Sequence, residues 1–133
     1  MSINASVGFL RRVLFADALS SAAMGVVLCL FNDQAASILN LPAELLSQAG
    51  LGLLPFAAFV AFVASRAIPS RTAVWIIMAL NAVWIVDSVL LLFGGWVQPN
   101  LLGQAFIVTQ AVFVLVLTEL EYMGLKRSTL AAQ

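Results

Sequence analysis

The sequence predicts an all-α, polytopic membrane protein in which four transmembrane helices form an antiparallel bundle with both termini in the cytoplasm. Three observations lead to this prediction. Apolar residues make up 63% of the chain and charged residues only 9%, whereas a soluble domain carries roughly 25% charged residues. Four long apolar runs follow one another along the chain. All six Lys and Arg residues lie in three places: before the first run, between the second and third runs, and after the fourth run.

Each predicted span meets the length that a bilayer demands. A transmembrane helix needs about 20 predominantly apolar residues, so four helices with short connections use nearly all of residues 1–133 as a single domain. The strands of a transmembrane barrel would instead alternate polar and apolar residues, and these runs do not. The predicted spans cover approximately residues 9–31, 45–67, 72–93 and 101–123.

The first span, residues 9–31, carries an aspartate on a face of small residues. Asp17, Ser21 and Gly25 are spaced four residues apart and therefore lie on one side of a helix. Small residues allow membrane helices to approach closely, and the second span, residues 45–67, has a comparable seam. We therefore expect the first span to pack on the second. The residues expected in this packing are Ala18, Ser21, Ala22, Gly25, Ala57 and Ala61.

The connection between the first two spans is the longest, and it mixes apolar with polar residues. Ile38, Leu39 and Leu41 stand among polar side chains, which favours a short amphipathic helix on the outer surface. An irregular loop folded over the mouth of the bundle is the alternative. In either case we expect the second span to open near Pro42, a residue that is well accepted at the start of a helix.

The remaining two connections are short. Pro69 ends the second span, and Ser70 or Thr72 can cap the third span, residues 72–93. So short a turn predicts that the second and third spans are antiparallel neighbours. The connection to the fourth span, residues 101–123, is equally tight, with Gly94 and Gly95 at its start.

The basic residues predict the orientation of the chain. They flank the start of the first span, the turn between the second and third spans, and the end of the fourth span. They are Arg11, Arg12, Arg66, Arg71, Lys126 and Arg127. Because Lys and Arg accumulate on the cytoplasmic side of membrane proteins, both termini are expected there. We expect the membrane to be a bacterial inner membrane.

Polar side chains inside the spans mark a candidate ion or polar site. Ionisable residues within transmembrane segments are costly and are by default candidates for function. The residues of this candidate site are Asp17, Asn81, Asp87, Gln110 and Glu119.

Asp17 has two interpretations. It follows Arg12 by five residues, hence by only about 7.5 Å along a helix, so an arginine can reach it. One interpretation is an inner-leaflet charge cluster in which arginines neutralise Asp17, Glu119 and Glu121. The other is a proton or cation site.

The polar residues of the third span also leave two interpretations open. Asp87 lies about 24 Å along the helix from Arg71, with no basic residue nearby, so it is protonated, reaches outer water, hydrogen-bonds inside the bundle or serves a site. Asn81 and Gln110 are expected near the middle of the membrane. They either join helices by hydrogen bonds or line a pocket, together with Trp75 or Trp84, that binds a small molecule.

Enzyme chemistry finds little support in the composition. The chain has no His and a single apolar Cys29, and the common hydrolase, zinc-protease and phosphate-loop motifs are missing. We therefore expect no enzymatic activity, no metal and no cofactor. A net charge of zero argues against nucleic acid as a partner.

Two classes of function remain. The first is a protein that acts through helix–helix association, as a homo-oligomer or as a small subunit of a membrane complex. The second is a small proton- or cation-coupled transporter with an intramembrane carboxylate. The expected partners are the lipid bilayer, a second copy or another membrane protein, and, for the second class, a small molecule or lipid between the helices.

Overall fold

The computed structural model describes the backbone of residues 3–132 and the side chains of residues 5–128, and over this range the chain forms helices and no strands. The helices are α1 (Ile3–Leu30), α2 (Asn32–Leu39), α3 (Ala43–Ser65), α4 (Arg71–Phe93) and α5 (Leu101–Ala132). Within the described residues, four helices are long and apolar enough to cross a membrane: α1, α3, α4 and α5. The predicted all-α class and the four candidate spans are thereby confirmed.

The helix ends show where hydropathy predicts structure well. The bounds of α3 and α4 lie within two residues of the predicted ones. By contrast, α1 begins at Ile3 instead of residue 9, and α5 ends at Ala132 instead of residue 123. An apolar run reports the length of helix that lies in hydrocarbon, whereas a helix can continue beyond it into polar surroundings.

The connection between α1 and α3 forms the short helix that the sequence favoured, α2. The helix ends at Asn40, which adopts the left-handed conformation (φ 56°) and donates its backbone N–H to the carbonyl of Ala36. Asparagine tolerates this conformation better than most residues. Pro42 then precedes the first turn of α3, as predicted.

Hydrogen bonds join this connection to the one between α4 and α5. Asn100 Nδ2 donates to the carbonyl of Ile38 (2.7 Å), and Asn100 Oδ1 accepts from the N–H of Gly103 (2.8 Å), which caps α5. Asn40 Nδ2 donates to the carbonyl of Gln98. The two connections therefore form one hydrogen-bonded unit at one end of the molecule.

Helix α1 packs closely against α3, as the small residues of both helices indicated. At the closest point, a Cβ atom on Gly50 would lie 2.9 Å from the carbonyl oxygen of Gly25. Ala18 and Ala57 are buried nearby in the same pair of helices. The contribution of Gly50 was not predicted, because its partner on α1 depends on how far the two helices are displaced along each other.

The order of helices around the molecule differs from the one expected from the turns. Helix α1 packs against α3 and α5, and α4 packs mainly against α5, whereas α3 and α4 have the slightest contact of the packed pairs. The capped turn before α4, in which Ser70 Oγ accepts from the N–H of Ala73, was predicted correctly. However, a short turn only brings two helix ends together. Packing along the length follows the small-residue faces, which pair α3 with α1.

Candidate functional site

A cluster of two carboxyl groups and one amide is buried between three helices. Asp17 of α1, Asn81 of α4 and Glu121 of α5 are exposed by only 2%, 4% and 0%. Asn81 Nδ2 donates to Asp17 Oδ2 (3.0 Å) and to Glu121 Oε1 (3.2 Å). One side-chain amide therefore bridges two acidic side chains. We call Asp17, Asn81 and Glu121 the carboxyl cluster.

Helical spacing explains why these side chains face inward. On α1, Asp17 follows the buried Leu14 by three residues and precedes the buried Ser21 by four. On α5, Glu121 follows the buried Leu117 by four residues and precedes the buried Gly124 by three. Residues three and four apart share a face of a helix. Each carboxyl group therefore lies on the face that its helix presents to the other helices.

The hydrogen bonds of the carboxyl cluster leave one oxygen without a partner. Ser21 Oγ donates to Asp17 Oδ1 (3.3 Å), so both oxygens of Asp17 are occupied. Glu121 Oε1 is occupied by Asn81, but Glu121 Oε2 has no hydrogen-bond partner although it is buried. Buried polar atoms are nearly always paired, so this oxygen marks a place where a proton or a ligand is needed.

Arginines do not neutralise this cluster, contrary to one interpretation of the sequence. Within the described residues, Asp17 and Glu121 accept hydrogen bonds from the neutral side chains of Ser21 and Asn81. No described Lys or Arg pairs with either carboxyl group. Arg11, which was expected near Asp17, donates its Nε–H to the carbonyl of Ala64 (2.9 Å). The carboxyl cluster therefore contains no cationic side chain.

The level of the carboxyl cluster corrects an estimate made from the flanking basic residues. Counting along the helices placed Asp17 about 7.5 Å beyond Arg12 and Asn81 about 15 Å beyond Arg71. Their side chains nevertheless form a hydrogen bond. The basic residues of different helices thus do not lie at one level relative to the carboxyl cluster.

A second polar network lies farther along α4 and α5. Gln110 Oε1 accepts from Trp84 Nε1, and Gln110 Nε2 donates to Ser88 Oγ (2.9 Å) and to the carbonyl of Ile107 (2.8 Å). Ser88 is buried and donates in turn to the carbonyl of Trp84 (2.8 Å). This network joins α4 to α5 and fixes the orientation of the Trp84 ring.

The weak contact between α3 and α4 leaves a cleft with two cavities. The wide cavity has a volume of about 540 Å³ and is lined by apolar residues of α3 and α4, by Asn81 and by Trp84. The narrow cavity, of about 340 Å³, is lined by Trp84, Asp87, Ser88 and Gln110 together with apolar residues of the other helices. Trp84 borders both cavities, and we call the two cavities together the α3–α4 cleft.

The structure separates the five predicted site residues into four places. Asp17 and Asn81 meet in the carboxyl cluster, and Gln110 belongs to the second network. Asp87 is exposed beside the narrow cavity, and Glu119 is exposed on α5. The sequence interpretation weighed a carboxylate pair only between Asp17 and Asp87.

Glu121 is the site residue that sequence reasoning did not select. Glu121 follows Glu119 by two residues, and the sequence analysis predicted Glu119 for the candidate site and Glu121 only for a charge cluster. The signal that separates them is helical phase, because Glu121 is in step with Leu117 and Gly124, whereas Glu119 is about 200° away from Glu121 around the helix. The buried stripe of Leu117, Glu121 and Gly124 is visible only in the packed structure, because the apolar residues of α5 are spread around the whole helix.

No protein-family model, no curated protein and no solved structure matches this chain. The function is therefore inferred from the carboxyl cluster and the cleft alone.

Proposed function

We propose that this chain is a small, multi-pass protein of a bacterial inner membrane that binds a proton between Asp17 and Glu121 and acts as a proton-coupled transporter. The observation that supports the proposal is the carboxyl cluster, in which two buried acidic side chains share one amide and have no cationic partner. The proposed topology is an antiparallel arrangement of the four candidate spans with both termini cytoplasmic, following the distribution of Lys and Arg.

Electrostatics favours one proton in the cluster. Burying an unpaired charge costs on the order of several kcal/mol, and two adjacent carboxylates repel each other in addition. One shared proton removes one of the two negative charges. It also turns a carboxylate oxygen into a donor, while the amide of Asn81 continues to donate to Asp17 Oδ2 and Glu121 Oε1.

The cleft supplies a route by which proton binding can be coupled to a ligand. Asn81 belongs to the carboxyl cluster and also lines the wide cavity. A ligand in that cavity and a proton on the carboxyl pair would therefore act on the same side chain. Coupling between two sites requires a difference in contacts of this kind.

Association with a second copy or another membrane protein is the second candidate, and a different surface supports it. A groove of about 420 Å³ runs between α1 and α3, and five of the residues that line it are alanines: Ala18, Ala22, Ala57, Ala58 and Ala61. Small residues of this kind admit the close approach of another membrane helix. A monodisperse monomer in mild detergent at every protein concentration would argue against association.

Infrared spectroscopy tests the proton site directly. The carbonyl stretch of a protonated, buried carboxyl group is expected in the wild type and is expected to vanish in the Glu121→Gln variant. Glu119→Gln is the matched control, because Glu119 is exposed on the same helix two residues away. Proton flux into reconstituted vesicles should be lost with Glu121→Gln and retained with Glu119→Gln. Wild-type protein that shows no protonated carboxyl signal would rule out the proposal.

A further inference from the structure

Asp87 is the acidic side chain of the α3–α4 cleft. It borders the narrow cavity next to Trp84, and no described residue forms a hydrogen bond with its carboxylate. The rest of the cavity wall is mainly apolar and includes Leu41, Leu46 and Phe106. Because Asp87 is exposed at this cavity, its carboxylate is accessible to a ligand there.

The chain offers no basic side chain to pair with Asp87. Residues 13–65 and 72–125 contain neither Lys nor Arg, whereas Asp33 and Glu44 add further negative charge to the first of these stretches. Asp87 is therefore the charged side chain among the lining of the narrow cavity, and no described Lys or Arg lines that cavity beside it. A cationic ligand supplies the missing charge, and the ring face of Trp84 can add a cation–π contact.

The wide cavity determines what the rest of such a ligand must look like. Beyond Trp84 the cleft is lined by Phe56, Phe59, Ile76 and Leu80, which offer apolar and aromatic contacts but no charge. Cavities of about 300–1,000 Å³ with apolar walls and a few polar groups are typical of small-molecule sites. The cleft thus presents one charged position at one end and an apolar, aromatic space at the other.

We propose that the α3–α4 cleft binds an organic cation with an aromatic body, with the positive charge beside Asp87 and Trp84 and the body in the wide cavity. The inference names the ligand class of the proposed transporter and rests on that function only for coupling to the proton. Binding itself is measurable at fixed pH and without a proton gradient.

The test uses Trp84 as its own reporter. Trp75→Phe and Trp96→Phe are combined so that Trp84 is the remaining tryptophan of the chain. The full-length protein in zwitterionic nanodiscs is titrated with N-benzylpyridinium, a cationic quencher of indole fluorescence. Saturable quenching is expected. Asp87→Asn is expected to weaken it about tenfold, because the nearly isosteric amide removes the charge that attracts the cation.

Two controls separate a built site from general attraction. Asp33→Asn removes an exposed acidic charge on α2 that does not line the cleft, and it should leave the affinity unchanged. Diphenylmethane, the uncharged isostere of the probe, should compete poorly. Absence of saturable quenching, equal weakening by Asp33→Asn, or equal affinity for diphenylmethane would each overturn the inference. If the infrared signal of the carboxyl pair persists in that case, the proton site stands and only the ligand class is wrong.

Discussion

Asn81 is the residue on which the geometry of the carboxyl cluster depends. Both of its contacts use the Nδ2 atom, which donates to one oxygen of Asp17 and to one oxygen of Glu121. A primary amide carries two N–H donors, so this bridge uses its full donor capacity. A hydroxyl or an apolar side chain at position 81 would leave at least one carboxyl oxygen unpaired.

Removal of this amide is expected to destabilise the protein. Asn81→Ala leaves two buried carboxyl oxygens without their donor, and an unsatisfied buried group costs about 1–3 kcal/mol. The free energy of unfolding in detergent should fall accordingly, and Thr109→Ala, which changes an exposed polar residue of α5, should have little effect. Equal stability of the two variants would mean that the Asn81 bridge is unimportant in the folded protein.

At the scale of the elements, α1 and α3 approach each other closely at two glycines. A Cβ atom on Gly25 would lie 2.9 Å from Leu54 Cδ2 and 3.2 Å from the carbonyl oxygen of Gly50. At both glycines the obstructing atoms include backbone, which cannot rotate away as a side chain can. The separation of these helices therefore depends on the absence of side chains at both positions.

Gly50→Ala should lower stability because the added methyl group has no space. Overpacking of this kind typically costs about 1–3 kcal/mol. Gly52→Ala is the matched control on the same helix, since nothing lies within 4 Å of a Cβ atom there. Its higher helix propensity should stabilise the protein by up to about 1 kcal/mol. Thermal unfolding in detergent compares the two, and a Gly50→Ala variant as stable as Gly52→Ala would contradict the packing described here.

The contact between α1 and α3 also predicts which substitutions on α1 destabilise the protein most. Gly25→Leu and Ala22→Leu are expected to lower thermal stability more than Val26→Leu, because Val26 is exposed and already carries a branched side chain, whereas the other two positions hold small residues at the contact with α3. Similar losses at all three positions would mean that the small-residue face of α1 does not determine packing.

The hydrogen-bonded connections form the second feature at this scale. Asn100→Ala removes the side-chain donor to Ile38 and the cap on the N–H of Gly103. A lost cap alone costs about 1 kcal/mol. Amide hydrogen exchange in α2 should become faster, whereas Gln98→Ala should leave it unchanged, since Gln98 contributes its backbone carbonyl. Unchanged exchange in the Asn100→Ala variant would show that α2 is held by apolar contacts instead.

At the scale of the whole molecule, orientation is the property that the basic residues predict. A reporter active only outside the cytoplasm should be active when fused after Gln98 and inactive when fused after Ser70 or Gln133, because Lys and Arg flank the latter positions. The reporter should also be active when fused after Asn40, which lies in the connection between α2 and α3. Reporter activity after Gln133 would reverse the orientation. Gln133 itself lies outside the described residues.

The sequence by itself determined the helical class, the four candidate spans, the bounds of α3 and α4 to within two residues, and the cap of α4 by Ser70. These properties are encoded locally. A run of about 20 apolar residues must satisfy its backbone groups internally when it lies in hydrocarbon, and caps and prolines act on adjacent residues. Asp17 and Asn81 stood out for the same reason, since polar residues interrupt apolar runs.

Tertiary structure alone decided which of these polar residues meet. Asn81 is separated by 64 positions from Asp17 and by 40 from Glu121, and their contact depends on the rotation of each helix and on its displacement along its neighbours. Between membrane helices these variables are set by close packing, such as that of Gly25 on Gly50, because hydropathy does not favour one apolar face over another. For this physical reason Glu121 enters the carboxyl cluster while Glu119 remains exposed, and α3 lies against α1, which opens the cleft beside α4.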